Sequence, residues 1–429
     1  MKIINIYEPS SFKQKFMHRE PVKDKTKLEA YVKGIIKEVQ TKGDTALIKF
    51  ARKFDKVSLD SKSLMVSREE ISEAYEKVTE DQISTIKAVK ERLEAVEKQV
   101  LERLNMEIEL DGICIKFCTR PIQRVGCYVP GGKAAYPSTL LMTVIPALVA
   151  GVPNIAVCSP PNRNGLLNPL TLVAADICGV NEIYKVGGPQ AIAAMAYGTE
   201  TVKPVDKIVG PGNIYVAIAK RLVSRNVAID FPAGPSELLV LADENANPRF
   251  VALDMCAQAE HGPDSTVGLI TTSRKLAEKT ISELEDIAKS TPRSSIVTEA
   301  LSNNGFVVVC DTVDEMVDLA NAFAPEHVEV MLKNPEDAVK RLNAAGIVLV
   351  GQYTPASLSD YYGGTNHVLP TGGVGRIFSG LSSLDFVKRI AIVKGSRKGL
   401  SKAYEYIRIL SKAEGLPAHF RAVEERMKN

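Results

Sequence analysis

Between residues 122 and 231 the chain alternates short, nearly continuous apolar runs with longer stretches whose apolar residues recur every three or four positions. The runs IQRVGCYV, NIAVCS, EIYKVG, VDKIVG and VAIDF have the length of buried strands. STLLMTVIPALVA, NPLTLVAADICG, PQAIAAMAYG and NIYVAIAKRLVS between them read as helices. Strict β–α alternation with loops of a few residues predicts a parallel sheet with helices on its faces. The alternation resumes from about Ser236 to Gly351, where SELLVLAD, VGLITT, GFVVVCD, HVEVML and GIVLVG are the strands. Upstream, Asp24 to Leu104 is charged and helix-periodic, with Ser67 as an N-cap, and two short strands follow, MEIEL and ICIKFC. Residues 1–20 read as a short polar lead-in, and Ser383–Asn429 as a basic helical tail.

A length of 429 residues suits two or three domains, and 45% hydrophobic with 24% charged residues is a globular balance. The net charge of +3 comes without a block of like charge, which gives nucleic-acid binding no support. Cys114, Cys118, Cys127, Cys158, Cys178, Cys256 and Cys310 are scattered without a CxxC spacing, as expected of reduced thiols in a cytoplasmic protein. The start MKIINIYEPSSFKQKF lacks the apolar core of a signal peptide. The uncharged stretch from Ala134 to Asn162 is cut by Pro146, Gly151 and Pro153, so it reads as a buried helix, a turn and a strand, not as a membrane span.

Four glycine-rich turns, VPGGKA, VGGPQA, VGPGN and FPAGPSE, leave successive strands of the first alternating segment, and the first three lead into helices. Helix N-termini at the carboxyl edge of a parallel sheet offer free N–H groups and a positive dipole end to an anionic ligand. No GxGxxG occurs among them, and the second strand ends AVCSPP, with no acidic residue for a ribose. Spacing alone supports a phosphate-bearing ligand.

Of the five histidines, His18 lies in FMHREP and reads as a surface position. Gln258 and His261 stand three apart before the helix stop Gly262-Pro263, so a helix puts them on one face. With a carboxylate such as Asp360 they suit zinc or manganese; the alternative is a helix end with polar caps. Glu326-His327 sits where a helix stop meets the strand HVEVML. It offers two proton-transfer groups, or a junction pair bonded to backbone. Helix C-termini lie on the sheet edge opposite the usual ligand edge, so one site using both sets needs two domains or two subunits facing each other.

The strings GCYVPGG, PAGPSE, QAEHGPDS, PEHVEV, SDYYGGTNHVLPTGG and AEGLPAH, in this order over nearly the whole chain, resemble the histidinol dehydrogenase family. The resemblance implies an α/β fold with two Rossmann-like parallel-sheet domains and small N-terminal and C-terminal helical extensions. The chain is then divided into an extension 1–20, a discontinuous first domain 21–127 plus 236–381 with the N-terminal helices, an NAD-binding domain 128–235 and a tail 382–429. It implies one Zn2+ per subunit and NAD, in a four-electron oxidation of L-histidinol through L-histidinal to L-histidine, the end of histidine biosynthesis. Zinc would be held by Gln258, His261, Asp360 and His419. Glu326 and His327 would transfer protons. NAD would meet Tyr128, Gln190 and Asn213, and substrate would meet Ser236, Gln258, His261, His327, Asp360, His367, Glu414 and His419. The family also implies a homodimer whose C-terminal tail reaches the partner's site.

Two positions depart from the family pattern T-P-E-S-x-G-D-Y: the chain reads TPASLSDYY, with Ala356 for glutamate and Ser359 for glycine. The competing readings are a related NAD-dependent dehydrogenase for another small amino or sulfonate alcohol, and a nucleotide-binding regulatory protein without turnover.

Overall fold

The computed structural model describes residues 3–16, 25–131, 136–231 and 234–428. Two parallel sheets carry the α/β fold. The larger runs in the order Asn5–Tyr7, Phe306–Val309, Thr266–Thr271, Glu237–Ala242, His327–Met331, Ile347–Val350. The smaller runs Glu182–Tyr184, Asn154–Cys158, Arg124–Tyr128, Lys207–Val209, Ala228–Ile229. Apart from the added edge strand 5–7, each sheet starts at its centre, winds outward on one side and then on the other, which is the doubly wound topology. Central strands are covered on both faces, which is why they read as unbroken apolar runs: every residue of Glu237–Ala242 is buried.

Ser67 caps the helix Arg68–Tyr75 as expected, with Glu70 returning a bond to the cap. Among the described residues, no helix is long and apolar enough to cross a membrane. All seven cysteines are free, and all but the half-buried Cys114 are buried. Burial pushes the thiols of Cys127, Cys178, Cys256 and Cys310 up to about 12, away from thiolate chemistry.

Three expectations need correction. The amino terminus is not a polar lead-in: residues 5–7 pair in parallel with 306–308, and Phe12 of the following helix is fully buried against Phe306 and Phe323. His18 lies outside the described residues. The tail is not all helix, because Val387–Gly395 is a strand antiparallel to Ile113–Pro121, which also pairs with Met106–Leu110. Helices Arg397–Ala413 and Pro417–Lys428 complete this arm. Finally, the helices of residues 25–102 go with the smaller sheet. Lys25–Phe50 packs on Gly188–Tyr197, Arg68–Tyr75 on Pro169–Ile177, and Glu80–Glu102 on Pro137–Val149. The last contact has a clear cause. Pro137–Val149 is apolar nearly all round, so it needs cover on the side away from the sheet. The expected boundary at 127/128 also falls inside Arg124–Tyr128, the central strand of the smaller sheet.

At the carboxyl edge of the larger sheet, the crevice between Glu237–Ala242 and His327–Met331 is closed by protein groups. Asp243 accepts from Lys333 N at 2.8 Å and Asn245 N at 2.9 Å, and Gln352 Oε1 accepts from Asn247 N at 2.8 Å.

Candidate active site

Glu326 and His327 stand at the start of the strand His327–Met331, at the amino edge of the larger sheet, and both are buried. Sheet register fixes their neighbours. His327 lies opposite Leu238, so the backbone of Glu237 sits between the two side chains. Glu237 N–H donates to Glu326 Oε2 at 2.8 Å, and the Glu237 carbonyl is 3.2 Å from His327 Nδ1. A carbonyl can only accept, so Nδ1 carries a proton and donates. On the other side of the ring, Nε2 lies 3.5 Å from Asp360 Oδ1. Burial alone would lower the imidazole, but the Glu326 and Asp360 carboxylates outweigh it and push His327 up to about 10. Burial likewise opposes the charge on Asp360, yet His327 holds the carboxyl below its ordinary value.

Gln258 is buried in the last turn of the helix Pro248–Ala259. Glu260 closes that helix, its N–H on the Cys256 carbonyl, and His261 follows. The helix returns the chain from the end of Glu237–Ala242 to the start of Thr266–Thr271, so its C-terminus lies at the same amino edge as His327. Asp360 sits in a short π-helical turn, Ser359–Gly363, which Ser359 braces through a 2.7 Å hydroxyl contact with Thr365. His367 Nδ1 donates to the Asp360 carbonyl at 3.2 Å, which leaves Nε2 to accept from Thr139 Oγ at 3.4 Å. Burial lowers the His367 pKa and keeps that ring neutral.

Thr139 belongs to the first turn of Pro137–Val149, the helix that follows the central strand of the smaller sheet. Asn366 Nδ2 donates to the Met142 carbonyl of the same helix at 2.7 Å. The amino edge of one sheet therefore meets the carboxyl edge of the other, which answers the two-edge problem inside one chain. On the smaller sheet's edge stand the expected nucleotide contacts. Tyr128 is buried, and its hydroxyl accepts from Gly188 N at 3.0 Å. Gln190 is buried with its amide oxygen unpartnered among the described residues. Asn213 is exposed and caps the helix Ile214–Val223 through Tyr215 N and Val216 N. Ser236 is half-buried just before Glu237.

Two expected residues are not brought to the site. Glu414 and His419 lie exposed on the tail, where no residue of Pro417–Lys428 is fully buried and Phe420 meets Tyr404 edge-on. Among the described residues no three His, Cys, Asp or Glu side chains group to hold a metal.

Sequence comparison decides the family. A model of the family "Histidinol dehydrogenase" matches residues 18–427. The chain is 46% identical to the histidinol dehydrogenase of Methanocaldococcus jannaschii, over 92% of each chain. It is 44% identical to that of Clostridium acetobutylicum, over 95% of this chain and 94% of that one. The chain belongs to the histidinol dehydrogenase family. The crystal structure of histidinol dehydrogenase from Elizabethkingia anophelis superimposes with a TM-score of 0.95 at 39% identity, covering 100% of this chain and 99% of that one.

Within that family frame, Ala356 has a structural context that its sequence position concealed. Its buried N–H donates to Glu329 Oε1 at 2.8 Å. Glu329 shares the inward face of its strand with His327 and lies against Asp254. Burial and the Asp254 carboxylate raise Glu329 well above the ordinary range, and burial lifts Asp254 to about 6. A glutamate at 356 would add a third carboxylate to this pair. Glu237, Thr139 and Glu329 escaped sequence reading because strand register and backbone contacts, not residue type, bring them to the site.

Proposed function

We propose that the chain is an L-histidinol dehydrogenase that uses zinc and NAD to carry L-histidinol through L-histidinal to L-histidine, in histidine biosynthesis. The observation that carries this reading is the buried His327, bracketed by Glu326 and Asp360 where the nucleotide edge of one sheet meets the other.

The donor set suits zinc: imidazole, carboxylate and amide oxygen, with His327 Nε2 and Asp360 Oδ1 both buried and short of a well-formed hydrogen bond. Gln258, His261 and Asp360 would come from one subunit, and His419 from a partner. A zinc ion there would hold the substrate's nitrogens and orient its alcohol, and NAD at the opposing edge would accept hydride. An Asp360 that gives its carboxylate to a cation no longer stabilises the His327 imidazolium, which frees that ring to act as a base. His327 takes the alcohol proton as hydride leaves carbon, giving the aldehyde. Glu326 then draws a proton from water attacking the aldehyde while the His327 imidazolium returns its proton to the carbonyl oxygen, giving the hydrate; the freed His327 takes a hydroxyl proton of the hydrate as a second hydride leaves, giving the carboxylic acid. Burial of both groups keeps stray water from competing.

A homodimer is part of the proposal. The arm exposes Ile108, Leu110, Ile390, Ile392 and Val393 on its strands, and Tyr406, Ile409 and Leu410 on its helix. Apolar surface of this extent calls for a partner, and the exposed Glu414 and His419 lie in the same tail.

The test is turnover by the purified, zinc-loaded protein. Two NADH per L-histidinol consumed, with L-histidine as product, is the expected result. No NADH from L-histidinol but NADH from another amino or sulfonate alcohol would move the assignment to that substrate.

A further inference from the structure

Gly210 is the first residue after the strand Lys207–Val209, beside the end of Arg124–Tyr128. This is where the smaller sheet's winding reverses, and such a switch point is where open α/β sheets receive ligands. Gly210 has φ +113°, and a Cβ there would meet the Tyr128 carbonyl at 2.2 Å. Both of its peptide groups are held by side chains: its N–H donates to Asp230 Oδ2 at 2.8 Å, and its carbonyl accepts from Lys220 Nζ at 2.8 Å. Lys220 and Asp230 also form an ion pair with each other, both side chains almost wholly buried. A buried ion pair is a costly way to fill space, and apolar residues of similar size commonly serve stability as well or better. What this pair does that an apolar pair cannot is grip the two peptide groups on either side of one glycine. Lys220 reaches back along the very helix, Ile214–Val223, that the turn Gly210–Asn213 opens. On the neighbouring strand, Tyr128 holds Gly188 N in a similar way, beside the unpartnered Gln190 oxygen.

We infer that Lys220 and Asp230 are positioning residues for the dinucleotide: they clamp Gly210 so that the turn Gly210–Asn213 presents the N–H groups of Gly212 and Asn213, and the Asn213 side chain, in one fixed geometry. The inference rests on the reading of this edge as the NAD site.

The test uses the full-length, zinc-loaded protein and two variants. Asp230→Asn keeps an acceptor for Gly210 N but removes the charge facing Lys220. Lys220→Met/Asp230→Leu removes the clamp and both charges together, so no buried charge is left unpaired. NAD affinity is read by calorimetry, KM is read for NAD and for L-histidinol separately, and zinc content and thermal melting report the rest of the fold. The double variant is expected to melt near wild type, keep its zinc and leave the L-histidinol KM within about twofold, while its Kd and KM for NAD rise about tenfold or more. Asp230→Asn is expected to fall between. A folded variant of either kind that binds NAD within twofold of wild type overturns the clamp. So does a loss that falls equally on NAD, L-histidinol and zinc, because that is the mark of a merely structural pair. Wild-type protein that binds no NAD would instead overturn the reading of the site.

Discussion

If the tail serves the partner's site, two inactive chains should repair each other. Take His419→Asn in one chain and Glu326→Gln in the other. Glu326 is buried at the amino edge of the larger sheet, whereas His419 is exposed on the last helix of the tail, none of whose residues is fully buried. In a mixed dimer with exchanged tails, one site receives an intact Glu326 and an intact His419, and the other receives both defects. Equal, random pairing makes about half of all dimers mixed, each with one working site, so about a quarter of wild-type activity returns. Isolating the mixed dimer through two affinity tags should raise this to about half. The assay is NADH formation from L-histidinol by co-expressed chains, with each variant alone as the blank. Mixed dimers no more active than the blanks would refute the exchanged tail and put His419 either in its own subunit's site or outside the chemistry.

His261→Asn should lose zinc and turnover together; zinc retained at full occupancy by metal analysis would remove His261 from the ligands. Burial raises Asp55 to about 6, and one of its oxygens has no partner among the described residues. Its folded pKa therefore lies above its unfolded value. The favourable contribution is fully present below about pH 4 and is lost as pH rises through about 6. Asp55→Asn should accordingly stabilise the protein by about 1–2 kcal/mol at pH 7, discounted for partial exposure, and by nothing at pH 4; urea midpoints that move equally at both pH values would contradict this. Phe12→Ala should cost about 3–5 kcal/mol, because the ring is fully buried among Phe16, Phe306 and Phe323. A change within about 0.5 kcal/mol by denaturant titration would return the amino terminus to the status of a lead-in.

What could be read from the sequence follows from the range of the interactions involved. A strand covered on both faces reads as a mostly apolar run, so Glu237–Ala242 and its neighbours announced themselves. Strand 5–7 did not, because only its pairing with 306–308 makes it a strand. Val387–Gly395 carries basic residues and is almost wholly exposed within the chain, so its charge read as a tail until Ile113–Pro121 supplied a partner. The amphipathic helices of residues 25–102 declared that they bury a face but not which sheet system receives it. At the site, imidazole and carboxylate betray themselves by type, as Glu326, His327 and Asp360 did. The Glu237 backbone, which bonds both Glu326 and His327, has no residue-type signature.

The carboxyl edge of the larger sheet has a practical use. Asp243 and Gln352 fill with the protein's own hydrogen bonds the crevice that such a sheet ordinarily opens to a ligand. The proposed chemistry gathers at the far end of the same strands. The exposed turn at Lys333–Asn334 is therefore a natural anchorage: enzyme fixed to a solid support through it would turn its working cleft towards the solution.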